Sequence, residues 1–333
     1  MTIDSKLIAE TYSSLTSVAA VTEGLASVGY ISSEDISTAI YLAVHLRKPI
    51  LIEGPAGVGK TDLAQSLSKF LDVPLERLQC YEGLDESKSL YEWKYGKQLL
   101  YTQILKDRLN EVVGDAGSVS DLTGRLSTFE DLFFSHDFLE PRTLLRAMEQ
   151  DAGSILLIDE IDKSDEEFEA FLLEILSDYQ VTVPEIGTIK ANVPPIVILT
   201  SNNVRDLGDA LKRRCLHLYI GFPDAGRERE IVRARVPAAS DSLLTQLVAF
   251  VQDLRTRDLR KRPSISETVD WARTLLLMHA DSLDESMVRK TLNVLLKYES
   301  DIESVSSSVG SMARNAASSS DAKRLPSGYP SLT

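Results

Sequence analysis

The sequence predicts an α/β fold: a P-loop type of core on a mainly parallel five-stranded sheet, followed by a small all-helical domain. Three observations predict it. A glycine-rich run, GPAGVGKT at residues 54–61, lies between an apolar strand-like stretch at 49–52 and a segment with helical apolar spacing. Short apolar runs then alternate with helical patterns to about residue 222, the order expected of parallel strands joined by crossover helices. Beyond Pro223 only helical spacing remains.

Composition bounds the classes open to the chain. Its 333 residues are 43% hydrophobic, enough for a sizeable core. No basic segment followed by an apolar run opens the sequence, and no stretch approaches the roughly 18 apolar residues of a membrane span, so a cytoplasmic protein is expected. The 36 basic and 50 acidic residues give a formal charge of −14. That balance argues against broad, sequence-independent nucleic-acid binding, though not against a local basic patch. Cys80 and Cys215 sit at strand edges without C-x-x-C spacing and are expected to be reduced, structural thiols. His45, His136, His217 and His279 are scattered and receive no role.

Residues 1–28 have weak patterning and are expected to form a loosely docked N-terminal arm. The core is placed at 29–222. Ser33 caps a helix through Ile36, Ala39, Ile40 and Ala43, and after the glycine-rich run Leu63, Ala64 and Leu67 continue a helical face that ends before Pro74. A strand is expected at 75–80. Residues 81–134 read as an insert, aromatic-rich over YEWKYGKQLLYTQ (91–103) and Gly/Ser-rich over VGDAGSVSDLTGR. A helix through Leu144, Leu145 and Met148 precedes the buried-strand run at 154–158, and Ser164 with Glu167 predicts a capping box for a helix burying Phe168, Phe171, Leu172, Ile175 and Leu176. VTVPEIGTIK at 181–190 predicts a hairpin, and strands follow at 196–200 and 216–220. The helical lid is placed at 223–300, and residues 301–333, roughly a third serine, are expected to be disordered.

The chemistry centres on the glycine-rich run. In G-x-x-x-x-G-K-[ST], glycines let backbone N–H groups close around phosphate oxygens, the lysine reaches the β/γ-phosphates and the hydroxyl meets Mg²⁺. The expected ligands are therefore a nucleoside triphosphate and Mg²⁺, and the resemblance described below makes the nucleotide ATP. Gly54, Pro55, Ala56, Gly57, Val58, Gly59, Lys60 and Thr61 are the candidate phosphate-binding residues. A dinucleotide fingerprint fits worse, because its glycines are spaced G-x-G-x-x-G. The run ILLIDE ends in paired carboxylates: Asp159 suits Mg²⁺ through its water shell, and Glu160 suits a base for the attacking water. Asn202, ahead of Asn203, is the candidate for positioning that water. In DALKRRC an arginine pair is placed to reach a phosphate on a neighbouring subunit.

In this order the motifs resemble the AAA+ ATPases and, more closely, the MoxR family, over about residues 30–300. GPAGVGKT matches Walker A, ILLIDE Walker B, LTSNN sensor 1 and ALKRRC an arginine-finger segment, with VTVPEIGTIK as the hairpin before sensor 1. The resemblance implies that Lys60 and Thr61 hold phosphate and Mg²⁺, Asp159 helps hold Mg²⁺, Glu160 is catalytic, Asn202 is sensor 1 and Arg214 is the finger, with Arg213 next. YEGLDESKSLYEWKYGKQLLYTQ resembles an insert of the subgroup linked to carbon monoxide dehydrogenase maturation. The resemblance further implies a homo-hexameric ring, a von Willebrand factor A domain partner and a client, a metalloenzyme in this subgroup, which the chain would remodel or mature as an ATP-driven chaperone. One departure stands out: RPSISET puts Glu267 where many MoxR proteins carry a sensor-2 arginine, leaving Arg262 as a substitute.

Tyr91, Trp93, Tyr95 and Tyr101 are the candidate contact surface for partner or client, against the alternative that they pack on their own domain. Two other functions compete. One is a GTP- or ATP-driven DNA-translocating motor of a restriction system, which the phosphate motifs do not exclude. The other is a non-catalytic nucleotide-gated scaffold, against which Glu160 argues because a scaffold needs no water-activating carboxylate.

Overall fold

The computed structural model describes residues 11–114, 133–184 and 186–321. In chain order it holds α1 (Val18–Ser27), α2 (Glu34–Leu46), β1 (Ile50–Glu53), α3 (Lys60–Leu71), β2 (Leu75–Gln79), α4 (Glu86–Ser89), β3 (Tyr91–Trp93), α5 (Tyr95–Gly114), β4 (Leu139–Pro141) and α6 (Thr143–Met148). There follow β5 (Ile155–Asp159), α7 (Glu166–Asp178), β6 (Gln180–Val183), β7 (Gly187–Lys190), β8 (Ile196–Ser201), α8 (Asp209–Arg214) and β9 (Leu216–Tyr219). Among the described residues beyond β9 there are only helices: α9 (Ala225–Arg235), α10 (Asp241–Arg255), α11 (Ile265–Leu277), α12 (Glu285–Leu295), α13 (Glu299–Ser306) and α14 (Val309–Asp321).

The expected five-stranded sheet is present, in the order β2-β5-β8-β1-β9. β2 with β5, β5 with β8 and β8 with β1 are parallel, in a register that sets Gln79 beside Asp159 and Glu53 beside Ser201. Every residue of β5 and β8 is buried, which is why both read as continuous apolar runs rather than alternating ones. Leu156 and Ile158 of β5 join Leu51 of β1 and Phe168, Leu172 and Ile175 of α7 in one core cluster. α7 begins one residue later than the capping box predicts: Asp165 accepts from the Phe168 N–H, while the Ser164 hydroxyl donates to the Ile161 carbonyl. β6 and β7 form the expected antiparallel hairpin.

The chain divides into two compact units that do not follow its linear order. One contains residues up to Val21, Asp35–Glu53 and Leu67–Leu218; the other contains Thr22–Glu34, Gly54–Ser66 and everything from Tyr219. In the second unit α14 packs on α10 and α12. Trp271 there is fully buried and donates its indole N–H to Thr291 Oγ1 at 2.8 Å. Arg255 and Glu228, both buried, form an ion pair that also takes in Thr268.

Three sequence expectations need correction. The described part of the N-terminal arm is docked: Tyr12 and Leu15 are buried, and the Tyr12 hydroxyl donates to the Pro194 and Ser154 carbonyls, with burial raising its pKa to about 12. The tail, expected to be disordered from residue 301, is helical in α13 and α14 with Val305, Val309, Met312, Ala313 and Ala316 buried. Its serines are satisfied locally: Ser304, Ser306, Ser308 and Ser311 donate to carbonyls three or four residues back, and the apolar residues between them keep helical spacing. In the insert Trp93 is buried against Phe134 and Tyr91 packs on the core, whereas Tyr95 and Tyr101 remain exposed. Residues 1–10, most of VGDAGSVSDLTGR, Glu185 and residues 322–333 lie outside the described residues.

Candidate functional site

The glycine-rich loop begins directly after Glu53, the last residue of β1, and ends in the first turn of α3. Two glycines are required by their surroundings. Gly54 has φ +150°, and a Cβ there would lie 2.0 Å from the Ile220 carbonyl oxygen. Gly57 has φ +75°, and a Cβ would lie 2.4 Å from Ser264 Oγ at the start of α11. Pro55, Ala56, Val58 and Gly59 complete the loop, and Val58 is buried. Lys60 is buried, and its ammonium donates to the Gly54 carbonyl at 2.6 Å and the Pro55 carbonyl at 2.9 Å, so it is held inside the curve of the loop. Thr61 follows on the first turn of α3, where the helix N-terminus presents backbone N–H groups and a positive dipole end.

Within the same unit Asp62 pairs with Arg235, and Arg227 donates to the Ile31 carbonyl. Tyr30, beside Gly59, has its phenol pKa pushed up, chiefly by burial and then by the Asp62 charge. Glu267, at the position expected for a sensor-2 residue, accepts from the Ser264 N–H in a capping box and pairs with Lys261. Burial raises its pKa, but the Ser264 and Lys261 hydrogen bonds outweigh that and leave it lowered. Arg262 is exposed.

The carboxylates belong to the other unit. Asp159 ends β5 and is buried; its Oδ1 accepts from the Thr200 hydroxyl at 2.5 Å and its Oδ2 from Arg77 at 2.6 Å. Glu160 turns the chain with φ +57°, a left-handed conformation uncommon for a residue with a side chain. Its N–H donates to Thr200 Oγ1, so one hydroxyl ties both carboxylate residues to β8. Glu160 Oε2 accepts from Gln79 and Lys163, both at 2.7 Å, and Oε1 accepts from the Asn202 side-chain amide at 3.2 Å. The Glu160 hydrogen bond raises the Lys163 pKa.

Asn202, rather than Asn203, is therefore the amide brought to Glu160; the Asn203 side chain turns back to the Ser201 hydroxyl. Asp162 fixes that loop, its Oδ2 accepting from the Asn202 and Val204 N–H groups at 3.1 and 2.9 Å. Arg213 and Arg214 are exposed at the end of α8, where Arg214 donates to Ser177 and the Ala210 carbonyl. Asp162, Arg77, Gln79 and Thr200 received no role from the sequence. Asp162 was signalled only by its place two residues after Glu160, and the β2 residues by nothing local.

Among the described residues no group of three or more His, Cys, Asp or Glu side chains is arranged to hold a metal. Thr61 in its unit offers a hydroxyl and Asp159 in the other a carboxylate, each an oxygen of the kind that suits Mg²⁺, a hard cation that takes few protein oxygens and completes its shell with phosphate and water. Among the described residues no helix is long and apolar enough to cross a membrane.

A strand leading into a glycine loop that encloses a lysine, on a five-stranded sheet with an acidic pair ending a parallel strand, defines a P-loop nucleotide-binding protein. Residues 49–215 match the family described as AAA domain (dynein-related subfamily). The chain belongs to that family, and so to the AAA+ ATPases. It is similar to an uncharacterized protein of Staphylococcus aureus strain USA300, 29% identical over 238 residues that cover 69% of this chain and 76% of the relative. Among solved structures it is similar to the Thermotoga maritima RuvB Holliday junction branch migration motor, at 16% identity and TM-score 0.42, covering 79% of this chain and 67% of that one. A lysine-to-arginine mutant of the same motor gives 18% identity and TM-score 0.44, covering 79% and 68%.

Proposed function

We propose that this chain is an ATP-hydrolysing AAA+ chaperone of the MoxR type, in the subgroup that matures metalloenzymes such as carbon monoxide dehydrogenase. The observation that carries hydrolysis is the contact between Glu160 and Asn202. A carboxylate able to take a proton and an amide able to orient water meet at 3.2 Å, on a backbone held in a strained turn.

In this reading Gly54 to Gly59 wrap the phosphates with backbone N–H groups, Lys60 neutralises the β/γ-oxygens, and Thr61 and Asp159 hold Mg²⁺. Mg²⁺, when bound, supplies charge neutralisation of the phosphoryl oxygens. Glu160 takes the proton of the attacking water while Asn202 orients it. Arg214, or Arg213 beside it, stands exposed for the phosphate of a neighbouring subunit, which calls for a ring of about six copies. Exposed Tyr95 and Tyr101 on α5 belong to the surface offered to a von Willebrand factor A domain partner or a client metalloenzyme.

The test is the Glu160→Gln variant. It is expected to bind ATP, to lose turnover, and to shift by light scattering from small species to about six subunits when ATP and Mg²⁺ are added. Turnover equal to wild type would remove Glu160 as the base, and a monomer with bound ATP would count against the self-assembling ring.

A further inference from the structure

We infer that Arg77 is a built-in cation on Asp159, one that opposes Mg²⁺ and sets the metal concentration at which the site loads. The inference rests on the reading of Asp159 as the Mg²⁺-side carboxylate.

The starting point is a carboxylate taken out of water. The Asp159 side chain is 5% exposed, and a buried charge of that kind requires compensation. Thr200 gives Oδ1 a neutral donor, whereas Arg77 gives Oδ2 a full positive charge at 2.6 Å. Arg77 comes from β2, the edge strand of the sheet, two residues before Gln79 and therefore on the same face of the strand. The Gln79 side-chain oxygen accepts from the same guanidinium at 3.0 Å, and Gln79 in turn donates to Glu160. Two residues on one face of an edge strand thus reach both carboxylates.

Arg77 is built to be displaced. Its side chain is 47% exposed, so the guanidinium can swing into water without leaving a hole in the core. Thr200 remains on Oδ1 and keeps the carboxylate oriented when Arg77 leaves. A divalent cation served by Asp159 must share that carboxylate with Arg77 or drive it off. With water nearby to screen the repulsion, Arg77 should weaken Mg²⁺ loading by about three- to tenfold.

The experiment follows binding of a fluorescent ADP analogue to the full chain, first in EDTA and then across a MgCl₂ titration, for wild type, Arg77→Met, Arg77→Lys and Asp159→Ala. Thermal melts without nucleotide verify that each variant is folded. Arg77→Met is expected to move the MgCl₂ midpoint down by about three- to tenfold, with affinity in EDTA within about twofold of wild type. Arg77→Lys, which retains the charge, is expected to stay near wild type, and Asp159→Ala to move the midpoint up. If Asp159→Ala raises the midpoint but Arg77→Met leaves it unchanged or raises it, Arg77 merely supports the carboxylate and the inference is overturned. If Asp159→Ala does not move the midpoint, the assignment of Asp159 fails and the inference falls with it.

Discussion

Replacing Asp162 by alanine is expected to cost stability first and turnover with it. The side chain is buried, and its Oδ2 holds two backbone N–H groups, those of Asn202 and Val204. Hydrogen bonds to a charged acceptor contribute about 1.5–3 kcal/mol each, so the pair amounts to roughly 3–6 kcal/mol before desolvation is counted. Oδ1 is buried without a hydrogen-bond partner among the described residues, and that penalty offsets part of the gain. The net loss on Asp162→Ala comes to about 2–4 kcal/mol, and on Asp162→Asn, which keeps an acceptor oxygen, to about 1–2 kcal/mol. Because the two N–H groups bracket Asn203, losing them frees the backbone that brings Asn202 to Glu160. A displacement of about 1 Å there is expected to lower kcat by roughly ten- to a hundredfold, with KM for ATP changed by no more than about threefold. Urea unfolding and steady-state phosphate release on the same preparations measure both. A kcat for Asp162→Ala within twofold of wild type, or an Asn variant as impaired as the Ala variant, would refute the positioning role.

Gly54→Ala forces a Cβ to 2.0 Å from the Ile220 carbonyl and is expected to destabilise by about 2–4 kcal/mol and abolish nucleotide binding, measured by melting and fluorescent-ADP titration. Arg255→Met strands the fully buried Glu228 and is expected to lose about 3–5 kcal/mol in urea unfolding, while Arg255→Met combined with Glu228→Gln recovers more than half of it. Burial raises the Cys80 and Cys215 thiols from 9.0 to about 12, with nearby Asp159 adding to the rise at Cys80. A raised pKa favours the neutral folded form, so this stabilisation is full below pH 9 and is lost as pH climbs toward 12. The melting temperature should therefore fall above pH 9, and a thiol reagent at pH 8 should modify both cysteines only after denaturant is added.

The parts of the site legible in the sequence were those whose chemistry is local. Gly54–Thr61 carries its spacing within eight residues, and Asp159 and Glu160 are adjacent at the end of an unbroken apolar run. Arg77 and Gln79 are about eighty residues from the carboxylates they bind, and only the parallel register of β2 with β5 makes them neighbours. Tyr12 was illegible for the same reason, since its acceptors lie 142 and 182 residues away. The cap of α7 falls one residue beyond the capping-box position because Ser164 and Asp165 are both good caps, and the hydroxyl of Ser164 is spent on Ile161 instead. In the serine-rich segment composition and pattern point in opposite directions, and pattern wins: Val305, Val309, Met312 and Ala316 keep helical spacing among the serines.

α14 has a practical bearing on any attempt to trim this protein. A cut at residue 300 would strip away Val305, Val309 and Met312 and lay open the side of α10 that α14 covers. Each of those side chains contributes about 1.5–3 kcal/mol by burial, so the shortened chain would be weakened and sticky at once. Precipitation of such a fragment would report an uncovered apolar surface, and loss of its ATP turnover would carry no information about the nucleotide chemistry. A boundary placed after Asp321 keeps the helix and the surface it shields.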